Sequence, residues 1–135
     1  MKSLKTLLRI ARRDLETLRR ALAEQIARQA AIEQSIVTLA QSVADEQKNA
    51  QGDYEATRAY GGFAAHCVAR RRALKSELVL VGEIGDRLRA LIAEAYVETR
   101  KFERLLELQA ERERAVLAKR EAAELDELAT QRRAK

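Results

Sequence analysis

Apolar residues recur every three and four positions through the first 45 residues, and this spacing limits the possible folds more than any other feature. Leu8, Leu15, Leu22, Ile36 and Val43 share one heptad position. Leu4, Ala11, Leu18, Ile32 and Leu39 share the position three residues later. A seam held for about six heptads is long enough to read as coiled coil. Gln25 and Gln29 interrupt it. A polar layer lowers the stability of a seam but fixes its register or its choice of partner. Ile26, beside that layer, is placed to rotate inward and compensate.

A second helical pattern covers residues 68–120. Leu74, Leu78, Val81, Leu88, Ile92, Ala95, Phe102, Leu106 and Val116 keep the same spacing. Leu80, Ile84, Leu91, Val97, Leu105 and Leu108 widen the stripe. Gly82 and Gly85 lie inside it, and an interior glycine costs about 1 kcal/mol relative to Ala. They mark a kink, a break or a close approach of two backbones, and close approach is the favoured reading.

Between the two patterns lies Tyr60-Gly61-Gly62-Phe63, the only adjacent glycine pair. Paired glycines accept positive φ and favour a reversal over a continuing helix. The expected fold is all-α, with two long helices forming an antiparallel coiled-coil hairpin. Residues 1–135 then form one unit, with helix one over about 3–59, a turn over about 60–64 and helix two over about 65–130. With this turn Leu15 faces Leu108, Leu18 faces Leu105 and Leu39 faces Ile84. A slip of three or four residues also pairs apolar with apolar. Asn49, Gly52 and Asp53 are weak helix formers, so helix one has a competing place to end within residues 45–60.

Composition agrees with long helices. Charged residues make up 35% of the 135, aromatic residues only 4%, and proline is absent. Two helices bury a single seam and leave the remaining faces to solvent, which is where such charges belong. No uninterrupted apolar stretch reaches the roughly 18 residues of a membrane span, and the N-terminus lacks the pattern of a secretory signal. The single Cys67 has no partner for an internal disulfide, which fits a reducing compartment. These features place the chain in the cytoplasm. His66 is the only histidine and has no companion ligand at zinc spacing. No nucleotide-binding, nucleophile-elbow or metalloprotease motif occurs. The reading is of a non-enzyme with no catalytic, cofactor-binding or metal-binding residues and no small-molecule substrate.

Two stretches are candidate binding surfaces. The opening carries Lys2, Lys5, Arg9, Arg12, Arg13, Arg19 and Arg20 against only Asp14 and Glu16. Cations near a helix N-terminus work against its macrodipole, so an acidic partner or a membrane surface competes with the plain reading of a solvated face. Tyr54, Tyr60 and Phe63 gather near the expected tip with His66 and Cys67, as a contact surface or as the closing layer of the seam. Arg70-Arg71-Arg72 is a short basic run nearby, either solvated or a docking site for acidic groups. The net charge of +5 admits acidic protein, nucleic acid or anionic lipid. Acids interleaved with the bases argue against nucleic acid. The alternative reading remains a nucleic-acid-binding or scaffold coiled-coil arm.

The chain resembles the FliJ family and its YscO-type relatives. The resemblance rests on the opening from Met1 to Ala11, on Asp14-Leu15-Glu16 at the start of the heptads, and on Gln47 to Phe63 leading into the return helix. It implies a cytoplasmic protein peripherally associated with the inner-membrane export apparatus. Its implied role is the coiled-coil stalk of the hexameric flagellar export ATPase, linking that enzyme to the cytoplasmic domain of the export gate and to export chaperones. The helix ends, with Arg9, Arg12 and Arg13, would then enter the ATPase ring. Tyr54, Tyr60 and Phe63 at the tip would face the gate.

Overall fold

A computed structural model describes residues 3–52 and 54–134. Lys2 of the basic opening and Asp53 of the seam lie outside the described residues, as do Met1 and Lys135. The described chain is two helices and a turn: α1 is Leu4–Asn49 and α2 is Tyr54–Ala134. They pack together as a helical hairpin, as the heptads imply.

Local chemistry sets both ends of α1. Ser3 is the N-cap: its Oγ accepts from the Thr6 N–H at 3.2 Å, and its carbonyl accepts from the Leu7 N–H at 3.0 Å. At the other end the Ala50 N–H donates to Glu46 at 2.9 Å. The Gln51 N–H donates three residues back to Lys48 at 3.3 Å, tightening the last turn. Gly52 then takes φ +96°, a conformation that ends the helix and that side chains with a Cβ avoid. The Thr57 hydroxyl, one turn into α2, donates to the Ala50 carbonyl at 2.7 Å and satisfies an acceptor that the helix end leaves open.

The reversal therefore lies at residues 50–52 and not at 60–64. Helix one is shorter than its expected 3–59, and α2 begins at Tyr54 rather than near residue 65. Gly61 and Gly62 sit inside α2 with ordinary negative φ. Paired glycines permit a reversal but do not require one. Here Tyr60, Phe63 and Cys67 keep an unbroken i, i+3, i+7 stripe, half-buried at the first two and 4% exposed at Cys67. That burial offsets the propensity cost of about 1 kcal/mol per glycine.

The described chain divides into two compact units, of which Glu16–Ala93 is one. Its core is Ile32, Leu74 and Val81, exposed by 7% or less, with Ile36, Leu39 and Leu78 packed against them. Leu39 thus packs with the Leu74 cluster, whereas Ile84, its expected partner, is 45% exposed. Moving the turn toward the N-terminus shifted the register with it. Gln25 and Gln29 are half-buried in the seam as expected, but Ile26 points outward and is 49% exposed. No α1 atom lies within 4 Å of a Cβ built on Gly82 or Gly85. The expected close approach of backbones at these glycines does not occur. Leu80 and Leu91 are exposed, so the stripe of α2 is narrower here than the sequence suggests.

The other unit combines Met1–Leu15 with Glu94–Lys135. Leu8, Ala11 and Leu15 are buried from the α1 side and Thr99 from the α2 side. The Thr99 hydroxyl donates to the Ala95 carbonyl at 2.9 Å, so its burial leaves no unmet donor. Leu108 lines an open groove with Ser3, Leu4 and Lys5, rather than facing Leu15. Val97, Leu105 and Val116 are exposed. From Gln109 to Ala134 every residue is exposed, because this part of α2 runs past the level of Leu4, where α1 starts.

Candidate interaction surfaces

The basic opening forms one surface. Arg9, Arg12 and Arg13 stand on the solvent side of α1, outside the stripe of Leu8, Ala11 and Leu15. No acidic residue occupies the first turn. Arg12 reaches across to α2, where its Nη2 lies 3.6 Å from Glu103 Oε1. Glu103 also accepts from Arg100 at 2.7 Å, so one carboxylate serves two guanidinium groups. The Arg12 side chain remains 61% exposed. An ion pair this wet contributes at most about 1 kcal/mol, leaving the guanidinium open to a second anion. The adjoining groove has apolar walls from Leu4, Leu105, Leu106 and Leu108. Ser3, Lys5, Gln109, Arg112 and Glu113 also line it, and cations beside such a mixed groove suit an acidic protein surface, since charge steers the encounter and apolar contact helps hold it.

The three aromatic candidates do not form a single surface. Tyr54 opens α2 beside the turn and is 80% exposed. Tyr60 and Phe63 are half-buried, on the side of α2 that also buries Cys67. Six residues of helix separate Tyr54 from Tyr60, which turns their side chains onto different faces. Spacing carries the signal that sorts them: Tyr60 and Phe63 are in phase with Cys67, Leu74 and Val81, and Tyr54 is not. Among the described residues there is no cluster of His, Cys, Asp and Glu able to hold a metal ion. None of their helices is long and apolar enough to cross a membrane.

The family model described as Flagellar FliJ protein matches residues 1–135. The chain belongs to the flagellar FliJ family. Curated relatives agree: the Flagellar FliJ proteins of two Caulobacter vibrioides strains, NA1000 / CB15N and ATCC 19089 / CIP 103742 / CB 15, are each 30% identical over 133 residues. Each match covers 96% of this chain and 93% of the relative. No solved structure matches the chain significantly. The FliJ resemblance carried by the opening turns and heptads therefore extends along the full sequence. The coiled-coil hairpin is what those heptads build in this member.

Proposed function

We propose that this chain is a non-catalytic component of the flagellar type III protein export apparatus, acting as the coiled-coil stalk of the hexameric export ATPase. Membership of the flagellar FliJ family supports a flagellar role. The observation that carries the finer reading is the composition of the unit holding both helix ends. It combines an acid-free, arginine-rich start of α1 with an α2 segment that runs on as exposed helix. Arg9, Arg12 and Arg13 meet an acidic lining of the ATPase ring. In this reading the turn end, with Tyr54, Tyr60 and Phe63, meets the cytoplasmic domain of the export gate. Tyr54 makes the direct contact and the two half-buried aromatics shape the helix beneath it. Export chaperones are further partners, and the protein works peripherally at the inner membrane.

The test is to add the purified chain to a hexameric flagellar export ATPase and measure assembly and ATP turnover. The proposal expects both to rise, and expects the triple variant Arg9→Glu, Arg12→Glu, Arg13→Glu to lose most of the effect while keeping its helix content. An ATPase whose assembly and turnover ignore the wild-type chain would contradict it.

A further inference from the structure

Along residues 56–76 there are five cations, Arg58, Arg70, Arg71, Arg72 and Lys75, and no Asp or Glu. Among the described residues none of these five is in an ion pair. Most of the chain, by contrast, mixes both signs, as Glu94 to Arg120 does. Val68, Arg72, Lys75 and Val79 follow one another at i, i+4, i+7 and i+11, so they share one outward face of α2. Val68 is 53% exposed and Val79 is 61% exposed. The face therefore presents two apolar side chains with two cations between them.

The complement of this face is in the same sequence. Residues 121–131 hold four acids, Glu121, Glu124, Asp126 and Glu127, and no Lys or Arg. None of these four is in an ion pair among the described residues. Glu121, Glu124, Leu125 and Leu128 lie at i, i+3, i+4 and i+7, again on one face. Leu125 is 67% exposed and Leu128 is 56% exposed. This second face presents two carboxylates beside two leucines.

We propose that a second copy of this chain is the partner of the basic face. The Glu121, Glu124, Leu125 and Leu128 face of one molecule docks on the Val68, Arg72, Lys75 and Val79 face of another. Charge complementarity selects this occupant, since each face carries the charges that the other lacks and both offer exposed apolar side chains. Because the two faces differ, the contact is heterologous, and each joined pair still offers one face of each kind. Assembly is therefore open-ended rather than a closed dimer. With two charge pairs and a small apolar area the contact is weak and salt-sensitive.

Sedimentation of the full chain over a concentration series, at about 0.05 M and about 0.5 M salt, tests this by weakening screened charge pairs. At low salt the average mass should grow past that of a dimer with concentration, and at high salt it should return to that of a monomer. The Arg72→Glu, Lys75→Glu variant and the Glu121→Lys, Glu124→Lys variant should each weaken association by about tenfold or more, as reversal of a contact charge does. Mixing the two reversed variants should restore mixed assemblies. Circular dichroism checks that each variant keeps its helices, and Arg72→Gln, Lys75→Gln replaces the first if it does not. A wild-type chain that stays monomeric at low salt, or reversed variants that associate unchanged or fail to rescue each other, would overturn the proposal. So would a monomer that floats with phosphatidylglycerol vesicles through Arg72 and Lys75, because the basic face would then take a lipid surface instead.

Discussion

Gly52 and the Gly61-Gly62 pair separate what a residue type allows from what its position requires. Gly52 stands at φ +96° with nothing near a Cβ built on it, so an alanine there pays for backbone conformation alone. Gly52→Ala should cost about 1–2 kcal/mol. Gly61→Ala and Gly62→Ala meet open space at helical φ, and each should stabilise the chain by about 0.5–1 kcal/mol. Urea titration of the three variants reads these signs directly. The opposite pattern would return the turn to residues 60–64. Gln25 gives a second residue-scale expectation. Its Oε1 is buried in the seam without a hydrogen-bond partner, and an unmet buried acceptor costs about 1–3 kcal/mol. Gln25→Leu should therefore raise the melting temperature, at the expense of the register that a polar layer enforces. The seam residues of α1 were legible in the sequence because heptad spacing is a local property. The conformation of a single glycine was not, since Gly52 and Gly61 differ only in what the chain around them buries.

At the scale of the helix, α1 matched its sequence pattern along the whole seam. The covered stripe of α2 is narrower than its apolar pattern. Leu80, Ile84, Leu91, Val97 and Leu105 are apolar at nearly helical spacing, yet they lie 39–66% exposed. One neighbouring helix covers only a narrow strip, so flanking positions stay in water whatever their side chains. The turn at residues 50–52 is hidden in the sequence for a related reason. Gly52 and the Thr57 hydroxyl act together across the reversal, and neither alone outweighs a glycine pair in the sequence. The Thr57 bond to Ala50 carries a check of its own. Thr57→Val removes the donor at 2.7 Å and leaves a partly buried carbonyl open, and it should cost about 1 kcal/mol of stability by thermal melting. Between the helices, Glu103→Gln should cost about 1 kcal/mol, and the loss should shrink as salt is added, because the Arg12 side of the pair is largely exposed.

For the whole molecule, the position of the turn decides which residues are covered and which are left for partners. A reversal at residues 60–64 would have given α1 enough length to cover most of α2. The reversal at 50–52 leaves Gln109 to Ala134 uncovered in its unit, and both the ATPase-facing surface and the acidic face proposed here depend on that. The hairpin was legible in the sequence because two heptad runs in one chain of this size have few other ways to bury their seams. Its register was not, because the repeat pairs apolar with apolar at several offsets. The aromatic candidates divide accordingly, with Tyr54 left outside and Tyr60 and Phe63 drawn into the seam. The most direct test is a pair of intramolecular distances in a Cys67→Ala background, measured between spin labels at positions 12 and 103 and between labels at positions 12 and 111. A turn at 50–52 puts position 12 across from 103, with helix axes about 10 Å apart. Position 111 lies about 12 Å further along α2 at 1.5 Å per residue. The 12–103 distance should be the shorter of the two, and a shorter 12–111 distance would contradict the register and the exposed surfaces derived from it.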